Sequence, residues 1–93
     1  MFAVAVTFEI DPDMLDAFMP LMIKNARTSR EVETGCHQFD ICRDGTTIFL
    51  YEVYQDRPAF DAHLSSAHFK TFDAATSKMI LAKNAKFFGE VIQ

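Results

Sequence analysis

Large apolar residues at Phe2, Val4, Val6, Phe8 and Ile10 alternate with Ala3, Ala5, Thr7 and Glu9, a period of two that predicts a half-buried strand. The pattern then changes. Asp11 caps a helix start, Pro12 takes the first helical position, and Asp13 sets a carboxylate at the positive end of the helix dipole. Met14, Leu15, Phe18, Met22 and Ala26 follow at helical spacing and carry the helix to about Val32. Pro20 lies within it and is expected to bend it, because its ring crowds the carbonyl four residues back. Gly35 ends the turn that follows. "CHQFDIC", "RDGT" and "TIFLYEVY" read as a β-hairpin with Asp44 and Gly45 at its tip. "DRPAFDAHL" predicts a short helix capped by Asp56. "SSAHFKTFDAATSKMI" predicts a longer one starting near Ser65 or Ser66, with Phe69, Phe72, Ala75 and Met79 as its inner stripe. "AKFFGEVI" closes the chain as a strand.

The order β-α-β-β-α-β, with the second helix broken in two, predicts one domain over residues 1–93. Its fold class is α+β: a ferredoxin-like antiparallel sheet of four strands with helices on one face. The other face then has no cover. Phe49, Tyr51 and Val53 form an apolar row on it, so a homodimer closed sheet against sheet through this row is expected.

If Asp44 and Gly45 form the loop, Arg43 pairs with Thr46, and Ile41, Phe39 and His37 fall opposite Ile48, Leu50 and Glu52. His37, Phe39, Leu50, Glu52 and Tyr54 would then line the space beneath the helices. Cys36, Gln38, Asp40 and Cys42 would face the other way. An acid and an imidazole on a covered face are costly unless paired, so either a polar pocket or a simple cross-strand ion pair is implied. Asn25 shares the buried stripe of Phe18 and Met22 and needs partners, from a neighbouring carbonyl or from a ligand. His63 and His68 flank the helix break, where a cavity mouth is expected, and each can be a packing residue or a general base.

Composition narrows the classes. About half of the 93 residues are apolar, the net charge is −4, and no Lys/Arg block occurs, so neither a nucleic-acid nor an anionic-membrane surface is expected. No signal peptide or membrane span is read, and a cytoplasmic location is expected. Cys36 and Cys42 lie roughly 20 Å apart along one strand, too far for a disulfide within the chain. No His-x-x-x-His pair or clustered carboxylates occur, so no metal site is expected.

The segments "VTFEIDPDMLDAF", "GCHQFDICRD" and "FLYEVYQDRPAFDAHLSSAHFKTF" resemble the antibiotic biosynthesis monooxygenase family of small dimeric α/β-barrel proteins. That family shows Gly-Cys-x-x-Tyr/Phe-Asp, then Tyr-Glu-x-Trp, then Ala-x-x-x-His and Ser-x-His-Phe. The likeness covers nearly the whole chain. It implies a dimer with a cavity between sheet and helices in each subunit, and oxidation of aromatic polyketides or quinols by O₂ without metal or organic cofactor. An Asn and a Trp on the third strand belong to the site in such monooxygenases, and Leu50 and Tyr54 stand at the aligned positions here.

The resulting expectation is a cofactor-independent monooxygenase acting with O₂ on a small phenolic or quinol-like substrate. One of His63, His68 or His37 removes a phenolic proton, Glu52 holds an imidazole in the useful tautomer, and Asn25 and Tyr54 orient substrate oxygens. Phe39, Leu50 and Phe72 form walls. Two alternatives stay open: an isomerase that enolises a small hydroxy-dione with the same residues, and a non-catalytic dimer, either a small-ligand binder or a stress-response protein, whose cavity its own aromatic side chains can fill.

Overall fold

The computed structural model describes all residues 1–93. Strand β1 (Phe2–Ile10) leads through a 3-10 turn (Pro12–Met14) into helix α1 (Leu15–Val32). Strands β2 (Cys36–Asp44) and β3 (Thr47–Tyr54) form the hairpin, helices α2 (Arg57–Ser65) and α3 (Ala67–Thr76) follow, and β4 (Ile80–Phe88) ends the sheet. The strands run in the order β2-β3-β1-β4 with every neighbouring pair antiparallel, which is the ferredoxin-like α+β arrangement. No helix is long and apolar enough to cross a membrane.

Local chemistry sets the boundaries. The Asp11 carboxylate accepts from the Asp13 N–H at 3.0 Å and the Asp56 carboxylate from the Ala59 N–H at 2.9 Å, so each satisfies an orphan donor at a helix start. Ser66 explains the helix break. Its N–H closes α2 by donating to the His63 carbonyl at 3.1 Å, its backbone turns extended, and its hydroxyl oxygen accepts from the Phe69 N–H at 3.2 Å to open α3. Helix α1 continues through Pro20, which lies on its exposed side.

The core is a sandwich. Val4, Phe8, Ile48, Leu50 and Tyr54 of the sheet meet Phe18 and Met22 of α1, with Phe60 and Phe72 from the later helices. Phe18 stands edge-on to both Phe8 and Phe72, at centroid distances of 5.8 and 5.9 Å.

The hairpin differs from expectation in two ways. Its loop is Gly45-Thr46, with Gly45 at φ 60° as a type II′ turn requires, so Asp44 pairs with Thr47, Ile41 with Leu50 and Phe39 with Glu52. Each partner moves by two residues, and an even shift keeps every side chain on its face. The second difference does not. A bulge between Cys36 and Gln38 leaves His37 as the extra residue, turning it outward and Cys36 inward, the reverse of the expected faces. In α3 the buried positions are Phe72 and Thr76 rather than Phe72 and Ala75, and β4 begins at Ile80, five residues before the expected strand.

Gly35 has a tight neighbour. A Cβ there would sit 2.5 Å from the Cβ of Ala59 on α2, and its carbonyl accepts from the Gln55 N–H at 2.8 Å. The glycine thus lets the turn before β2 close against α2. Gly35→Ala should cost about 1–3 kcal/mol by overpacking, read as a lower urea midpoint at unchanged slope.

On the uncovered face Phe49 is exposed and Tyr51 half-buried, as is consistent with an apolar row, but Val53 is already buried within one chain and takes no part in it. Phe88, also exposed, stands on the same face through its register with Ala3.

Candidate active site

Between the sheet and the helices lies a cavity of about 250 Å³. Phe8, Phe39, Leu50, Phe69 and Phe72 wall it, and its buried polar groups are Asn25, Glu52 and His63. Arg57, Asp73 and Lys83, all exposed, mark its open side. Met22, Phe39 and Phe72 pack around this space without filling it, which removes the basis for a cavity closed by its own side chains.

Glu52 projects from β3 into this apolar interior, 4% exposed, and accepts a hydrogen bond from the Tyr54 hydroxyl at 2.5 Å. Burial raises its pKa to about 7, against the opposing pull of the Tyr54 hydrogen bond and the Lys83 charge. The carboxyl is therefore balanced between its two forms near neutral pH. Tyr54 is fully buried, and desolvation together with the Glu52 charge holds its phenol protonated as a donor.

His63 comes from α2 and is wedged among rings, with Phe69 at 5.0 Å, Tyr54 at 5.6 Å and Phe39 at 5.9 Å between centroids. Its Nδ1 lies 2.8 Å from Glu33 Oε2. A carboxylate only accepts, so Nδ1 carries the proton and Nε2 keeps its lone pair. Nε2 has no protein partner on a residue that lines the cavity. Burial lowers the imidazole's pKa, with Glu33 pulling the other way, so it stays neutral and able to take a proton.

His68 also bonds Glu33 Oε2, at 2.5 Å, but opens on a separate groove beside Lys24, Thr28 and Thr71. Asn25 borders both spaces, and its Oδ1 is buried without a partner. Thus His63, Glu52, Asn25, Phe39, Leu50 and Phe72 line one cavity, whereas His68 stands behind it, and Tyr54, expected to orient a substrate oxygen, is fully buried outside the lining with its hydroxyl given to Glu52. His37 does not belong. It is exposed on the bulge and bonds Gln55 Oε1 at 2.8 Å.

The structure also corrects the partner of the imidazole, which is Glu33 and not Glu52. Sequence reasoning missed Glu33 although Asn25, Ser29 and Glu33 recur every four residues, a polar continuation of the buried stripe of α1. Cys36 offers no nucleophile, since burial pushes its thiol up to about 11.

The sequence pattern described as antibiotic biosynthesis monooxygenase matches residues 1–75. The chain belongs to this family. Solved structures agree in shape. A candidate antibiotic biosynthesis monooxygenase from Nitrosomonas europaea is 26% identical, with a TM-score of 0.92 over 99% of this chain and 100% of that one. Rv0793 from Mycobacterium tuberculosis, 24% identical, reaches 0.91 over 99% and 96%. A candidate family member from Caulobacter crescentus, 20% identical, gives 0.91 over 98% and 90%. These last two likenesses speak for the fold alone. No curated protein matches the chain in sequence. Family membership and the name of the Nitrosomonas europaea neighbour support an enzyme of monooxygenase type.

Proposed function

We propose that the chain oxidises a small phenolic or quinol-like substrate with O₂ and without metal or organic cofactor. The observation that carries this reading is the partner-free Nε2 of His63, a residue held by Glu33 that lines an apolar cavity together with Glu52, whose pKa is raised to about 7. A phenolic O–H placed at Nε2 gives its proton to the imidazole, and the electron-rich anion passes one electron to O₂. The two radicals combine at the ring carbon to a peroxide, which takes a proton from Glu52. Loss of water then leaves the carbonyl, with one oxygen atom in product and one in water. The unpartnered Asn25 Oδ1 is placed to accept a hydrogen bond from a second substrate hydroxyl. The test is O₂ uptake by the purified protein with a panel of one- and two-ring quinols, under chelator. Binding of these compounds without O₂ uptake overturns the reading.

Arg57 and Lys83 at the open side favour a second reading, in which an anionic hydroxy-dione is enolised by the same His63 and Glu52. Deuterium would then enter such a substrate from D₂O with no O₂ consumed.

The homodimer is part of the same proposal. Phe49, 37% exposed, and Phe88, 42% exposed, would be covered by a second copy's sheet. Phe49→Asp should give a folded monomer by sedimentation, with unchanged circular dichroism. A variant that stays dimeric places the contact elsewhere.

A further inference from the structure

Behind the cavity a second cluster has no assigned role. Glu33 Oε2 lies 2.8 Å from His63 Nδ1 and 2.5 Å from His68 Nε2. Ser29 Oγ is 3.3 Å from the first ring nitrogen and 3.1 Å from the second, and Ser66 Oγ is 3.2 Å from His68 Nε2. Both hydroxyls have spent their protons. Ser29 donates to the Asn25 carbonyl at 2.8 Å and Ser66 to the His63 carbonyl at 2.6 Å, so toward the histidines they present only lone pairs. Glu33 Oε1 is buried and unpartnered. One carboxylate and two hydroxyl oxygens therefore converge on two ring nitrogens, and only the two N–H protons stand between them.

Such a set suits a cation. The ligating atoms of Glu33, His63 and His68 all lie within 4.8 Å of one another, and two imidazoles with one carboxylate are the donors of many zinc and related centres. Bonds of about 2.0–2.2 Å to zinc place ligand atoms roughly 3.3 Å apart, so the His63 contact would have to open by about 0.5 Å and the His68 contact by about 0.8 Å. His68 can do this, since its side chain is 16% exposed and reaches the groove beside Thr28 and Thr71. The spacing rule overlooked the set because its members come from the end of α1, from α2 and from α3.

We propose that Glu33, His63 and His68 bind a divalent transition-metal ion of the zinc class, and that its occupancy turns the partner-free Nε2 of His63 from acceptor to donor. The ion takes the lone pair of His63 Nδ1, so the proton there moves to Nε2, and His68 exchanges its Nε2 proton for one on Nδ1. Each ring keeps one proton. Metal binding and proton abstraction at His63 then exclude each other, a consequence that rests on the proposed function, whereas the binding itself does not.

The experiment titrates the whole protein with Zn²⁺ by calorimetry and with Co²⁺ by its visible absorption. One ion per chain is expected, weakened about tenfold or more by His68→Gln and by Glu33→Gln and unchanged by His37→Gln. Circular dichroism establishes that each variant is folded, and either of the first two suffices. On the wild-type protein, long-range ¹H–¹⁵N NMR should find the His63 proton on Nδ1 in chelator and on Nε2 in Zn²⁺. No binding at millimolar Zn²⁺, or binding indifferent to both substitutions, overturns the site. A bound ion that leaves the proton on Nδ1 overturns the switch. O₂ uptake enters neither readout, so a failed oxygenase reading would leave this result intact.

Discussion

His63→Gln should lower turnover of a quinol by about 10²–10⁴-fold, the usual worth of a positioned general base. The glutamine still offers a donor toward Glu33 Oε2 and is close to the imidazole in size, so the buried carboxylate is not abandoned. The expected loss therefore lies in kcat, with the apparent affinity for substrate changed little, because the apolar walls that hold the ring remain. His37→Gln provides the control, since His37 stands exposed on the bulge with only Gln55 for a partner. Oxygen-electrode traces on the two variants check the assignment. A His63 variant retaining activity within a few-fold would show that proton removal happens elsewhere or is not needed. Glu33→Gln should fall between the two, because it removes the acceptor that fixes the tautomer and leaves the ring in place.

The fold was legible because its signals are local and agree with one another. Alternation in β1, the Asp11 and Asp56 caps and the Ser66 break each specify one element, and short connections leave few ways to assemble them. The site was legible where a face follows from parity. Phe39, Leu50, Glu52 and Tyr54 stayed on the helix side despite a misplaced turn, since an even shift of register does not exchange faces. His37 was misplaced because a bulge adds one residue without any glycine to announce it. Glu33 was missed for a different reason. It lies just past the last turn of α1, and its partners are thirty and thirty-five residues away, a contact that only tertiary packing creates. The family likeness supplied the cavity, but not which carboxylate orients which imidazole.

Glu52→Gln should change how stability depends on pH more than any other single substitution. The folded carboxyl, raised by burial from 4.5 to about 7, holds a proton that the unfolded chain has already released. Its contribution to stability is therefore complete below about pH 4.5 and is lost as pH rises through about 7. At about 1.4 kcal/mol per pH unit this amounts to about 3 kcal/mol, a large share of the stability of so small a domain. His63 acts in the opposite sense. Its lowered pKa means that the unfolded chain takes up a proton near pH 6.5 that the folded ring refuses, so its contribution is present above pH 6.5 and is lost as pH falls through the folded value. The two slopes overlap below pH 6.5, and the wild-type curve alone would hide both. Comparing variant with wild type isolates Glu52, because His63 is common to each. The Tyr54 hydroxyl can still donate to the amide oxygen, so the difference reads the charge and not a lost bond. Urea unfolding of both proteins should find the variant gaining about 3 kcal/mol on the wild type between pH 4.5 and pH 8. A gap that stays constant across that range would show that Glu52 ionises normally, and the proton it is proposed to give the peroxide would need another source.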